Sequence, residues 1–207
     1  MKNLLFDAKA VTAIDTNSNK IILYTGFEYT KGIILYNESP FFSGLNALPG
    51  RIKYQGEWYN DLQLKYDCKE DILILIDEEN QREIELISEK LNEFNIQDHH
   101  FIKIKLPDFK EGYYELLHDG SRQLLVKWIK KTERNQMEEA HYVSYHQIYL
   151  KRDDQIFNIK TFKDFLRSME SNKKNIIQFC KDNHLRFKKE PFSCMKQVLS
   201  HFEKQAN

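Results

Sequence analysis

The chain is poor in the residues that break, staple or charge-bias a fold. Its 207 residues include only 7 Gly, 4 Pro and 3 Cys. So few glycines and prolines leave little room for a flexible linker, and no repeat or low-complexity segment is visible. The cysteines, Cys68, Cys180 and Cys194, are odd in number, so at least one stays outside any intramolecular disulfide. They do not settle the redox compartment. No apolar run approaches the ~18 residues of a membrane-spanning helix. Residues 1–6 carry one lysine and a short apolar run, far less than the apolar region and cleavage site of an export signal. Charge of one sign is missing too: 31 basic and 31 acidic residues give a formal net charge of zero. Proteins that hold phosphates usually show a basic excess, so no nucleic-acid partner is expected.

Catalytic signatures are also absent. There is no Gly-x-Ser-x-Gly elbow, no Walker loop, no Rossmann glycine fingerprint and no His-Glu-x-x-His. No cofactor is therefore expected.

What the chain does have is core material, with 41% hydrophobic and 13% aromatic residues. From residue 21 to about 159 the dominant hydrophobic period is two, the period of strands. Ile21-Ile22-Leu23-Tyr24 and Ile33-Ile34-Leu35-Tyr36 are short apolar runs that read as strands. Arg51 to Tyr54 and Glu57 to Tyr59 read as a hairpin through Gln55-Gly56, followed by a strand at residues 62–66. Residues 72–76 are apolar on both faces, the mark of a central strand. Residues 82–86 and 102–106 alternate, each with one wet face. Residues 113–117 and 124–130 read as a hairpin reversing tightly through Asp119-Gly120, with Tyr114 and Leu116 on its core face. Residues 143–150 and 155–159 complete the series through Asp153-Asp154.

The period then changes to that of helices. Phe162, Phe165, Leu166 and Met169 form one helical stripe, with Thr161 and Asp164 spaced as a capping box. Ile176, Ile177, Phe179 and Cys180 form a second stripe. Pro191 opens a third helix, with Phe192, Met195, Leu199 and Phe202 on one face. Helices so short need burial elsewhere for stability, and the strands around Ile84 and Ile104 have an apolar side needing cover. The expected architecture is one α+β domain over residues 1–207, β-rich from about 20 to 159 and helical from about 161 to 205. It would be a curved antiparallel sheet or partly open β-barrel with the C-terminal helices packed on it.

Several residue groups invite chemical readings. Cys180 with His184, and Cys194 with His201, share helical faces and would supply a two-sulfur, two-imidazole zinc set. The spacing lacks a Cys-x2-Cys knuckle and both cysteines adjoin apolar stripes, so packing is the preferred reading and no metal is expected. His99-His100 and His141 with His146 have the wrong parity to chelate from a strand. Asp67 and Asp71 flank Cys68 in a turn, where two carboxylates could act as acid and base in a hydrolase, although turn capping explains them more simply. The neighbouring acids Asp67 and Glu70 should raise the Cys68 thiol, the wrong direction for a nucleophile. Lys173, Lys174, Lys181, Arg186, Lys188 and Lys189 cluster near the C-terminus, either as solvated faces or as an anion-binding end. Strand packing accounts for most of the eleven tyrosines, with a ligand platform as the alternative.

One set of motifs is similar to a known pattern: Leu23-Tyr24-Thr25-Gly26-x-Glu28-Tyr29, Ser39-Pro40-Phe41-Phe42, Gly50-x-Ile52-x-Tyr54-x-Gly56-x-x-Tyr59 and Leu64-x-Tyr66-Asp67-x-x-x-Asp71. With the 112–127 hairpin and the closing helices, they resemble a family of uncharacterised exported proteins of Bacteroidota over residues 20 to 205. Thr25 stands where that pattern favours Asn. The resemblance implies a periplasmic or secreted protein and brings no activity, substrate or site residues, while the residues themselves leave the cytoplasm open. The leading expectation is a non-enzymatic cell-envelope protein for binding or assembly, with an apolar or peptide ligand in a sheet–helix cleft. The alternatives are a hydrolase using carboxylates near Asp67 and Asp71, and a cytosolic anion-binding protein.

Overall fold

The computed structural model of the protein describes residues 21–30, 35, 38–107, 109–169 and 173–204. Eleven strands form one open antiparallel sheet: β1 (Phe27–Glu28), β2 (Leu48–Tyr54), β3 (Glu57–Asp67), β4 (Ile72–Asp77), β5 (Arg82–Glu85), β6 (Leu91–Ile96), β7 (His99–Ile104), β8 (Gly112–His118), β9 (Gln123–Arg134), β10 (Ala140–Arg152) and β11 (Gln155–Asn158). Three helices close the chain: α1 (Phe162–Ser168), α2 (Lys173–Asp182) and α3 (Pro191–Lys204). The fold is α+β with a curved open sheet, as the patterning predicts. The sheet order is β1-β5-β4-β3-β2-β6-β7-β8-β9-β10-β11, two meanders joined where β2 pairs with β6.

The turn chemistry is mostly as expected. Gln55 and Gly56 both take positive φ, 52° and 89°, the primed turn whose twist suits a two-residue hairpin. Asp153 takes φ 51° between β10 and β11. The capping box at Thr161 and Asp164 is formed, and Pro191 opens α3.

Several expectations change. Residues 21–25 form a 3-10 turn rather than a strand: the Thr25 hydroxyl donates to the Ile22 carbonyl and closes the turn, while Leu23 plugs the core. The 57–59 and 62–66 segments are one strand, β3, interrupted by a bulge where Asp61 takes φ 55°. Strand β6 escapes the period-two reading because its pairing with β2 shifts register between Lys53 and Tyr54. The shift puts Leu91 and Phe94, three residues apart, in the same core.

The reversal after β8 is a four-residue loop, and Gly120 does not take positive φ. Glu203 of α3 shapes it, accepting from the Ser121 hydroxyl and the Arg122 amide at 2.8 Å each and pairing with His118 Nε2 at 2.7 Å. A Cβ on Gly120 would come within 2.0 Å of that carboxylate, so glycine here makes space rather than a turn. Strand β8 is also buried on both faces: Tyr113 packs in the main sheet core and Tyr114 in a second cluster with Ile104 and Leu125, against which half-buried Leu116 packs. The strand expected at residues 33–36 lies outside the described residues except for Leu35, which bridges to Glu38, and residues 1–6 also lie outside them.

The main sheet core is aromatic. Phe94 and Phe101 stack at 4.7 Å between ring centres, with Tyr66 and Tyr113 against them. Each such buried ring contributes about 2 kcal/mol of transfer free energy. The helices cover a different part of the sheet from the one expected. Phe165, Met169, Met195, Val198 and Leu199 pack on Leu124, Ile148 and Leu150 of β9 and β10, whereas Ile84 and Ile104 are covered by other parts of the β region. Among the described residues no helix is long and apolar enough to cross a membrane.

Candidate functional site

Strands β7, β8 and β9 each contribute one side chain to a polar cluster on the sheet. Register places Glu115 opposite Phe101 on one side and Val126 on the other, so His99 and Trp128 are its diagonal neighbours on the same face. Glu115 is 4% exposed and both its oxygens are used. One meets His99 Nδ1 at 2.6 Å; the other accepts from Trp128 Nε1 at 2.7 Å. A carboxylate facing Nδ1 fixes the proton there, so the neutral imidazole presents Nε2 as an acceptor. That nitrogen has no partner among the described residues, and the His99 side chain is 44% exposed.

These groups border a cleft of about 290 Å³, lined by Phe42, Cys68, His99, Trp128, Lys130 and Tyr145 among others. The Phe42 ring meets His99, Phe101 and Trp128 edge-on at 4.8, 5.2 and 5.5 Å. Lys130 Nζ donates to the Ser39 carbonyl at 2.8 Å and ties the loop that carries Phe42 to β9. His146 and Phe192 extend the aromatic wall beyond Trp128, bringing the start of α3 to its margin. The cleft is a small, apolar, preformed site with one imidazole acceptor at its edge.

The Cys68 thiol faces this cleft but is poorly suited to attack. Burial pushes it far above its ordinary range; Lys130 opposes this and Asp67 adds to it. The direction agrees with the sequence reading, but the main cause is burial, and Glu70 is not among the leading causes.

The structure separates Asp67 and Asp71 into two internal networks. Asp67 is fully buried and accepts from the Tyr29 hydroxyl and from the Lys69 and Glu70 amides at 2.8 and 3.0 Å, capping the β3–β4 turn. Capping is as expected. Asp71, at φ 64°, accepts from the Tyr66 hydroxyl and from Lys127 Nζ, each at 2.6 Å. Lys127 is 3% exposed and also donates to the Tyr113 carbonyl at 3.0 Å. Burial holds its ammonium below the ordinary range, and Asp71 partly restores it. Gly112 leaves room for this pair, since a Cβ there would lie 2.0 Å from Asp71 Oδ2 and 2.7 Å from Lys127 Nζ.

Of the sulfur and imidazole set, only the two thiols come together, Cys180 Sγ to Cys194 Sγ at 4.0 Å. Both are buried, and burial together with Cys180 pushes the Cys194 thiol up to about 12. His184 is exposed and His201 stacks on Phe179 at 4.2 Å. No group of three or more metal-ligating side chains assembles among the described residues. His99 and His100 point to opposite faces and pair with Glu115 and Glu93 respectively. Tyr54, Tyr66, Tyr113 and Tyr114 are core residues, whereas Tyr145 is exposed at the cleft. Lys181, Arg186, Lys188 and Lys189 gather around a second cavity at the helical end.

Family models, curated proteins and solved structures give no match to this chain.

The sequence reading missed the Glu115 cluster because its members are on three strands and acquire meaning only through register. One signal was available. In a strand whose odd positions include buried Tyr113, Glu115 is a charge in core phase, and such a residue needs internal donors.

Proposed function

We propose that the protein is a non-enzymatic binding protein of the cell envelope whose cleft takes a small, flat, largely apolar molecule carrying one hydrogen-bond donor. The observation carrying this reading is Glu115: a buried carboxylate that fixes both His99 and Trp128 holds two walls of the cleft in place before any ligand arrives. Preorganisation of this kind lowers the entropy lost on binding. A single aromatic ring fits the volume of the cleft, against the wall that Phe42 and Trp128 form together, and a hydroxyl on that ring donates to His99 Nε2. Asp67 and Asp71 are held by internal donors and the Cys68 thiol is protonated, which favours binding over hydrolysis.

Phenol is the probe. The chain has two tryptophans, so two indole N–H signals are expected in a proton–nitrogen NMR spectrum, and Trp58→Phe assigns the Trp128 signal. Phenol should shift the Trp128 signal saturably and leave Trp58 unmoved. Toluene should bind at least fivefold more weakly, and His99→Ala should erase the difference. No saturable shift, or equal binding of phenol and toluene, overturns the reading. The envelope compartment rests on the family resemblance, and recovery of the natural full-length protein only from the soluble cytoplasm overturns that part.

A further inference from the structure

The helical end encloses a second, larger cavity that the cleft proposal leaves unexplained. It measures about 520 Å³ and lies among α1, α2, α3 and the loop joining α2 to α3. Its apolar lining is Phe162, Ile177, Cys180, Leu185, Phe187 and Cys194. Every one of these is uncharged, and Ile177 is 36% exposed, an aliphatic side chain left open at the wall. Four cations also line the cavity: Lys181, Arg186, Lys188 and Lys189. All four residues are exposed, and none forms an ion pair among the described residues.

Some cations of the β region are closely paired. Lys65 meets Glu83, Arg82 meets Asp77, Lys103 meets Glu111 and Lys127 meets Asp71. Four positive charges gathered around one apolar hollow, in a chain of zero net charge, are a local concentration. Like charges brought together repel, and a bound anion relieves that repulsion. The hollow needs an occupant that is apolar over most of its length and anionic at one end. The cavity is within the roughly 300–1,000 Å³ range of small-molecule pockets.

We propose that the helical end binds a free single-chain anionic amphiphile of the fatty-acid class, with its alkyl chain among Ile177, Leu185 and Phe187 and its carboxylate at the cationic rim. This site is separate from the cleft at Trp128 and does not depend on it. Each methylene buried strengthens binding, so affinity grows with chain length until the hollow is full. The rim adds discrimination for charge.

The test compares dodecanoate with dodecanol, both below their aggregation limits, by isothermal titration on the intact chain. Dodecanoate is expected to bind saturably at one site per chain and at least fivefold more tightly than dodecanol. Lys188→Glu with Lys189→Glu should weaken dodecanoate at least tenfold and leave dodecanol unchanged; both positions are exposed, so thermal unfolding should stay as in the parent. Ile177→Trp, which fills the hollow from a partly exposed position, should weaken both ligands. Equal affinities for acid and alcohol overturn the proposal. So does the absence of saturable dodecanoate binding, or association only with vesicles of phosphatidylcholine and phosphatidylglycerol. In that last case the cations serve a membrane surface.

Discussion

The β region and the helical end are held together in opposite ways. The β region buries charge: Asp67, Asp71, Glu115 and Lys127 all lie within or against the aromatic core, each with internal partners. The helical core is built of apolar side chains and two thiols, and the carboxylate Glu203 of α3 pairs across to His118 of β8 rather than within the helices. Apolar packing is non-directional and tolerates repacking, whereas a buried charge is stable only with its own partner in place. The β region is thus the more specified of the two. The helical end is tied to it by a shared apolar face and by Glu203, the helix-borne carboxylate that grips the β8–β9 loop.

Removing one side altogether tests the comparison most severely. A chain ending at Asn158 loses Ile159 and all three helices, and bares Leu124, Ile148 and Leu150. It should be insoluble or aggregate on concentration. A soluble fragment with one cooperative unfolding transition would show that the sheet needs no help from the helices.

Asp71→Asn attacks the specified half. It leaves the Lys127 ammonium buried without its counter-ion and should cost about 4 kcal/mol in urea unfolding at pH 7. The pH dependence has a definite sign. Lys127 is held below its ordinary value of 10.5 in the folded chain. Between the lowered and the ordinary value the unfolded chain binds more protons, so this group makes stability rise with pH there. The deficit of Asp71→Asn should therefore shrink toward pH 10. A deficit independent of pH would mean that Lys127 is not the group left stranded.

Glu203→Gln loosens the tie between the halves and should cost about 2 kcal/mol at pH 7. Burial raises this carboxyl, but the bonds from His118, Ser121 and the Arg122 amide outweigh it and hold the group below its ordinary range. Its contribution is complete above the ordinary carboxyl value and is lost as pH falls through the folded one. Parent and variant should converge as pH falls through the folded value, below the ordinary carboxyl range. A gap that stays constant from neutral pH until the acid limit of folding would place the effect elsewhere. The smallest change is expected at Arg134 and Glu138, whose side chains are 71% and 80% exposed. Arg134→Ala should alter stability by less than about 0.5 kcal/mol, and a larger loss in thermal melts would show that the far end of the β9–β10 hairpin has a partner.

The same contrast explains what could be read before folding. The helical end was legible nearly in full, because a stripe such as Phe162, Phe165, Leu166 and Met169 is a local property of one helix. Strands with clean alternation were legible too. Strand β6 was not, since its register shift with β2 breaks the period of two, and the 3-10 turn at residues 21–25 looked like a strand because a short apolar run carries no length signal. The candidate cleft was the least legible feature. His99, Glu115 and Trp128 come together through two strand registers, and a charge at a core-phase position tells only that a partner exists.

The order of the sheet also bears on how quickly the chain reaches it. Of the ten strand pairings among the described residues, eight join neighbours in sequence and can zip from a local turn. The other two are β1 with β5, only two residue pairs long, and β2 with β6, which brings Tyr54 against Leu91. Loop-closure entropy falls most heavily on these pairings, and only β2 with β6 unites the two meanders. Substitutions along this seam, such as at Ile52 or Phe94, weaken the long-range contact that unites the two meanders. They bear on the rate of folding, whereas losses in the outer hairpins are felt mainly as faster unfolding.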